Sequence, residues 1–162
     1  NSIRRRDKQS TRTGVEKMRK NTKNSIKLVL TLVALITYFL PWIASWPDSA
    51  TIWYAGDSLR MLGGLTGSTK AQAVGVVMLV CSAIAVLFLL FNSYKALRAI
   101  INANNGTAST QNVTSLGLLI ALLNTIIMAI LIMVTGKETY NVWTVSAWPI
   151  ISAIACLLGI FF

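Results

Sequence analysis

The chain has 162 residues, of which 54% are apolar and 12% are charged. Soluble domains are about 25% charged, so this composition indicates a protein whose surface is partly in contact with lipid. Histidine is absent, which excludes His-ligated zinc or haem and His-dependent nucleophilic catalysis within these residues. We therefore predict a non-enzymatic protein without catalytic, cofactor-binding or metal-binding residues.

Four apolar segments without charged residues follow one another along the chain. They cover residues 28–43, 71–91, 113–134 and 146–162. Each approaches the roughly 20 residues that a helix needs to cross a bilayer, and backbone groups in lipid must bond within the protein. No ten-residue alternating pattern of barrel strands is present in the sequence. We predict an all-α fold, an integral membrane four-helix bundle over residues 28–162.

Local signals mark where several helices begin or end. Thr69 and Gln72 have the spacing of a capping box at the second segment. Asn112 is expected to cap the third helix and Ser146 the fourth. Within the loop at 44–70, residues 57–63 are typical of a short capped helix that ends at glycine.

Lysine and arginine are concentrated on one predicted side of the membrane. Residues 1–27 hold ten of the 15, and the loop at 92–112 adds Lys95 and Arg98. By the positive-inside rule, the N-terminus and C-terminus face the cytoplasm, and the loops at 44–70 and 135–145 face outward. The expected location is the cytoplasmic (plasma) membrane, as a multi-pass protein.

The basic tail, residues 1–27, contains few apolar residues, and we expect it to be partly disordered. Its cations are expected to bind anionic lipid headgroups, and an acidic cytoplasmic partner is the alternative. These lipid-surface residues are Arg4, Arg5, Arg6, Lys17, Arg19, Lys20, Lys23 and Lys27. No nucleic acid is expected as a partner, because the tail has no aromatic residue to stack on bases.

All five tryptophans fall at or beyond the predicted outward helix ends. They are Trp42, Trp46, Trp53, Trp143 and Trp148. This distribution is typical of the aromatic belt at the headgroup layer. The alternative is an outer surface that docks a partner chain or an apolar ligand.

The four segments contain no ionisable Asp, Glu, Lys or Arg side chain, so their polar and small residues are the informative ones. Asn124 is expected to bond a neighbouring helix, with a pore or substrate contact as the alternative. Cys81 and Cys156 are expected to be free thiols. Small residues allow close helix packing, within one bundle or between subunits. Together with Asn124, the predicted packing residues are Gly75, Ser82, Ala85, Gly117, Ala121, Ser152, Ala155 and Gly159.

With its Phe39-Leu40-Pro41-Trp42 motif and the Gly-rich return at Gly63-Gly64-Leu65, the chain resembles a group of small bacterial four-helix membrane proteins in its topology. In that group a basic N-terminal stretch leads into a helix that ends in Leu-Pro-Trp. The resemblance implies a bacterial cytoplasmic-membrane protein of unassigned role and transfers no catalytic residue. The long first loop is also similar to that of claudin-like proteins, but their paired loop cysteines are absent here.

The function expected from these features is that of an accessory or scaffold subunit of a larger membrane assembly. Helix packing and the Trp-rich outer loop would make its contacts with other subunits or with copies of itself. One alternative is a small oligomeric channel or transporter for a neutral solute, lined by Asn124 and Thr125. Another is a sensor or immunity protein whose outer loop recognises an extracellular peptide or lipid.

Overall fold

Five helices and three short strands make up the fold over the residues that the structure describes. The structure, a computed structural model, describes residues 2–44, 49–106, 115–138 and 144–162, with the backbone alone at 2–13, 17 and 136–138. The elements are α1 (Ser2–Thr37), β1 (Pro41–Ala44), β2 (Ser49–Thr51), α2 (Ile52–Thr66), α3 (Thr69–Asn104), α4 (Leu116–Glu138), β3 (Thr144–Val145) and α5 (Ala147–Phe161). The all-α class is confirmed, the short helix predicted at 57–63 is part of the longer α2, and the sheet is additional to the predicted elements.

Two helices extend well beyond their predicted apolar segments. α1 begins at Ser2 and α3 continues to Asn104, and each has 36 residues. At 1.5 Å per residue, each is about 54 Å long. The predicted helix end at residue 43 is wrong, because α1 ends at Thr37 and Pro41 belongs to β1. Proline lacks a backbone N–H and disfavours the helical conformation of the residue before it.

Four of the helices pack in a ring, and the fifth lies outside it. α1 and α4 each pack against both α3 and α5, whereas α2 packs against α3. The α2 and α3 helices run antiparallel, since Gly63 lies against Gln72 and Gly56 against Leu79. The core of the ring includes Ala34, Tyr38, Met78, Ala85, Leu89, Leu118, Ala121, Met128, Ala155 and Cys156.

Polar residues cap three of the helices. The Thr51 hydroxyl accepts from Tyr54 N at 3.3 Å at the start of α2. The cap of α3 is Ser68, whose hydroxyl accepts from Ala71 N at 3.4 Å, so the predicted capping box beginning at Thr69 is one residue late. Ser146 caps α5 as predicted. Asn112 lies outside the described residues.

Glycine ends α2 for a conformational reason. Gly67 has a φ of 70°, in the left-handed region, and follows the last residue of the helix. A side chain at this position would be strained, so glycine allows the tight reversal into α3.

A three-stranded antiparallel sheet lies between the helices, in the order β2-β1-β3. β1 pairs Ala44 with Ser49 of β2 and with Thr144 of β3. A shift of register between Pro41 and Ile43 accommodates the proline. The sheet therefore joins the end of α1 to the starts of α2 and α5.

Two helices, α3 and the 116–135 part of α4, are long and apolar enough to cross a membrane. Their large apolar side chains are exposed along one face of each, as at Leu87 on α3 and Ile130 on α4. Exposed apolar faces that run along whole helices are typical of contact with a membrane or with another protein. These features indicate membrane association.

Candidate functional site

A line of polar side chains on one face of α1 makes the principal polar contacts between helices. Lys27, Thr31 and Tyr38 are four and seven residues apart, so they lie on the same face of α1 and the turn that follows it. Their respective partners are Ser115, Asn92 and Asn124. We call these three pairs the α1 polar ladder.

The Tyr38–Asn124 pair forms the first rung, at the end of α1. Tyr38 is fully buried, and Asn124 Nδ2 donates to its hydroxyl at 2.8 Å. That hydroxyl donates in turn to the Ala121 carbonyl at 3.4 Å. The Thr125 hydroxyl donates to the same carbonyl at 2.8 Å. Asn124 therefore joins α4 to the turn after α1, and the Tyr38 and Thr125 hydroxyls share one carbonyl of α4.

The Thr31–Asn92 pair forms the second rung and joins α1 to α3. Asn92 Nδ2 donates to the Thr31 hydroxyl at 3.1 Å, and that hydroxyl donates to the Lys27 carbonyl at 2.7 Å. Both side chains are buried. α4 approaches this level closely, since a Cβ added at Gly117 would lie 2.7 Å from the Phe88 carbonyl oxygen. The rung is thus enclosed by three helices.

The Lys27–Ser115 pair forms the third rung, at the basic end of the bundle. Lys27 Nζ donates to the Ser115 hydroxyl at 3.1 Å. Ser115 lies at the start of α4, because its carbonyl accepts from Leu119 N at 3.0 Å. Partial burial, and then the nearby charge of Lys23, lower the pKa of Lys27. The ladder therefore ends on a cation held between α1 and α4.

Two indole rings enclose the end of α1. Trp42 is fully buried and donates from Nε1 to the Thr37 carbonyl at 2.6 Å. Trp53 of α2 donates from Nε1 to the Tyr38 carbonyl at 2.9 Å, and Phe39 stacks on its ring with centroids 6.3 Å apart. The Thr37 carbonyl also accepts from a backbone N–H of the following turn, and the Tyr38 carbonyl lies at the helix end, where carbonyls lack partners within the helix. In this structure Trp42 and Trp53 therefore form hydrogen bonds within the protein at the end of α1.

The other predicted outer tryptophans are placed differently. Trp148 is in the first turn of α5 and partly exposed. Trp46 and Trp143 lie outside the described residues.

The predicted packing residues lie in the helix contacts. A Cβ added at Gly75 would lie 2.5 Å from both Arg60 N and the Gly56 carbonyl, and one at Gly159 would lie 2.7 Å from Leu118. Glycine at these positions lets the backbones approach. The remaining ones, Ser82, Ala85, Gly117, Ala121, Asn124, Ser152 and Ala155, are all buried.

The predicted lipid-surface residues lie on α1 beyond the ring of helices. Arg19, Lys20 and Lys23 are exposed, and Lys20 contacts Glu16 at 3.5 Å. Lys27 belongs to the ladder. For Arg4, Arg5, Arg6 and Lys17 only the backbone is described, in the same helix.

The described residues offer little reactive chemistry. Cys81 and Cys156 are free thiols. No group of three His, Cys, Asp or Glu side chains suited to a metal is found in the described part of the chain. The hydrogen bonds of the α1 polar ladder hold helices together in apolar surroundings.

Sequence reasoning names Asn124 but misses its partner Tyr38 and the Thr31–Asn92 pair. A sequence pattern could have identified the α1 residues of these pairs, because polar residues recur on one face of α1 at positions 27, 31 and 38. The partners on α3 and α4 carry no comparable pattern.

Comparisons of the chain with known protein families, characterised proteins and solved structures give no match. The resemblance to small bacterial four-helix membrane proteins stays a prediction.

Proposed function

We propose that this protein is a non-enzymatic, multi-pass membrane protein that acts as an accessory or scaffold subunit of a larger membrane assembly. The observation that supports this most directly is that interior polar side chains form hydrogen bonds with one another. The polar side chains of the ladder, such as Tyr38 and Asn124, bond to one another inside the ring of helices. The outer faces of the helices present apolar side chains that suit lipid or other helices.

The proposed orientation places both termini and the 92–112 loop in the cytoplasm. The Asn21–Asn104 contact at 3.3 Å and the Lys27–Ser115 contact bring residues 1–27 to the same end of the bundle as this loop. Twelve of the 15 cations of the chain therefore belong to segments that meet at one end. The positive-inside rule assigns that end to the cytoplasmic side of the plasma membrane, where its cations attract anionic headgroups.

The proposed partner surfaces are the apolar faces that the fold leaves open. On α3 the exposed face contains Val76, Val77, Val80, Ile84, Leu87 and Leu90, and on α4 it contains Leu119, Leu123, Ile126, Ile127, Ile130 and Met133. The tip of α2 adds Met61, Leu62 and Leu65, the last 86% exposed. A second subunit, or a second copy, would pack against one of these faces by van der Waals contact.

A channel lined by Asn124 and Thr125 has less support. Both side chains are buried, and both bond to groups of the same chain. A solute path along them would have to break these hydrogen bonds.

The test is the mass of the purified protein in mild detergent, measured by light scattering after size exclusion. We expect an assembly well above the 17.7 kDa of one chain, containing a second membrane protein or further copies in fixed ratio. Leu123→Trp on α4 and Leu87→Trp on α3 form a matched pair of exposed substitutions. Loss of the assembly with only one of them identifies the contact face. A monomer with nothing bound in fixed ratio contradicts the proposal.

A further inference from the structure

The charged residues of α3 define its depth in the proposed membrane. Lys70 is exposed near one end of the helix, and Lys95 and Arg98 are exposed near the other. The 24 residues between Lys70 and Lys95 carry no charge. They span about 36 Å, which slightly exceeds the roughly 30 Å of hydrocarbon in a bilayer. These charges place the bilayer centre near Ser82, whereas the exposed Arg60 of α2, whose backbone lies against Gly75, moves the outer boundary inward and the centre to near Ala85. The bilayer centre therefore falls between Ser82 and Ala85.

The sheet lies at this central depth when it is located relative to α3. Thr31 is level with Asn92 through their hydrogen bond, and Tyr38 lies about 10 Å further outward along α1. Gly56 of α2 is level with Leu79 and Gly75 on the outer side. β1 and β2 connect the end of α1 to the start of α2, so they lie between these two levels.

The α4 helix gives the same depth independently. The Tyr38 hydroxyl contacts Ala121 and Asn124, which lie in the first half of the 23-residue α4, far from its outward end. β3, which follows α4 in the chain, returns to pair with β1 at Ile43 and Ala44. α5 therefore begins at the level of the sheet and, with 15 residues, is about 22 Å long.

Strands at this depth raise a problem of unpaired backbone groups. Among the described strands β2 and β3 are the edges of the sheet, and each leaves one side without a neighbouring strand. Open sheet edges do not occur in contact with hydrocarbon, because each unsatisfied N–H or C=O group costs several kcal/mol there. Non-helical backbone at membrane depth is found where it is buried in protein or lines a water-filled cavity.

We infer that the outer half of the bundle contains a water-filled recess that reaches from the outer surface to the β1-β2-β3 sheet at the bilayer centre. This inference rests on the proposed membrane embedding. Ser49 of β2 and Thr144 of β3 are both exposed and place hydroxyl groups at this sheet. α1, the β1–β2 pair and α2 then form one membrane crossing as an interrupted helix, an arrangement that transporters use to build sites at mid-depth.

The recess is closed on its cytoplasmic side. Trp42 and Ile43 of β1, the middle strand, are fully buried, and because successive residues of a strand point to opposite faces, protein covers both faces of the sheet there. Tyr38 packs on Trp42 with ring centroids 4.9 Å apart and is bonded to Asn124. The recess is therefore a site for water and for small hydrogen-bonding solutes that enter from outside, and it is not a continuous pore.

Cysteine accessibility tests this inference in the full chain. Ser49→Cys and Thr144→Cys are made separately with Cys81 and Cys156 replaced by alanine, and the protein is reconstituted into lipid vesicles. Ala83→Cys, exposed on α3 at the same depth, is the control that faces lipid. A membrane-impermeant thiol reagent is expected to modify the two strand positions at least tenfold faster than Ala83→Cys, from one side of the membrane.

Two results would overturn the recess. One is that Ser49→Cys and Thr144→Cys react as slowly as Ala83→Cys, because the sheet edges are then covered. The other is that all three react rapidly, because the segment then lies outside the bilayer. If Thr144→Cys fails to fold because it loses its hydroxyl bond to the Ala44 carbonyl, Ser49→Cys alone decides between these outcomes.

The same experiment separates the recess from the proposed function. Gly14→Cys, exposed on α1, reports the side of the basic end. If the strand positions react from the same side as Gly14→Cys, the recess opens inward and the inference of an outward opening is wrong. A monomeric protein in detergent contradicts the assembly proposal but leaves the cysteine result unchanged.

Discussion

α1 in the inner half of the molecule and α2 in the outer half are held to their neighbours by different means. In the inner half, α1 is joined to α3 and α4 by hydrogen bonds between side chains, as at Thr31–Asn92 and Tyr38–Asn124. In the outer half, α2 is joined to α3 by backbone approach at Gly56, Gly63 and Gly75. In lipid the hydrophobic effect does not drive helix association, so side-chain hydrogen bonds and close backbone packing stabilise it instead. One depends on particular polar atoms and the other on the absence of a Cβ.

The largest expected effect is on the outer contact. In Gly75→Ala the new methyl group would lie 2.5 Å from the backbone of Arg60 and Gly56, so α2 must move. We expect a loss of about 1–3 kcal/mol in the free energy of unfolding. Thermal unfolding in detergent measures it, and faster tryptic cleavage after the exposed Arg60 reports separation of α2.

Gly64→Ala is the matched control on α2. No atom lies within 4 Å of a Cβ added there, and alanine favours the helix by up to about 1 kcal/mol. This variant should be as stable as the parent protein or more so. Equal losses of stability in Gly75→Ala and Gly64→Ala would show that close backbone approach does not hold α2 in place.

The next largest effect is expected at the end of the ladder. Tyr38→Phe leaves Asn124 Nδ2 without its acceptor, which should cost about 1 kcal/mol. Asn124→Leu removes the same hydrogen bond from the other side. In a double-mutant cycle the double variant should lose less stability than the sum of the single variants. Strict additivity would mean that the two side chains do not interact in the folded protein.

A smaller effect is expected at the second rung. Thr31→Val removes the acceptor of Asn92 Nδ2 and should cost about 0.6 kcal/mol. Thr66→Val is the control, because the exposed Thr66 hydroxyl donates to the Leu62 carbonyl of its own helix. Chemical denaturation in mixed micelles compares the two. A larger loss at Thr66 would contradict the interhelix role of Thr31.

The smallest effect is a pH dependence at Lys27. Burial lowers its pKa in the folded protein below the ordinary value of 10.5, so the unfolded chain holds this proton more tightly. The resulting destabilisation is complete below the lowered pKa and is relieved as the pH rises toward 10.5. Lys27→Met should remove this pH dependence.

Melting temperatures at pH 7.5 and pH 10 provide the measurement. The parent protein should gain stability relative to Lys27→Met as the pH rises. Lys20→Met, at an exposed position of the same helix, controls for the loss of a positive charge. If the difference between the parent protein and Lys27→Met is the same at both pH values, Lys27 is not desolvated in the folded protein.

Local signals predict much of the helical framework. Ser146 marks the start of α5, and the spacing of Thr69 and Gln72 marks the start of α3 to within one residue. The apolar runs identify the parts of α3 and α4 that are long enough to cross a membrane. Such signals act through neighbours within one or two turns, so they can be read without knowing the fold.

The sequence by itself determined the helical class, the apolar segments and the concentration of cations near the N-terminus. Only the tertiary structure decided which polar side chains meet, that α2 packs along α3, and that a sheet interrupts the path from α1 to α2. The reason is sequence distance. Asn124 and Tyr38 are 86 residues apart, and Thr144 and Ala44 are 100 apart. Contacts over such distances depend on the packing of whole helices, which no local pattern of residues encodes.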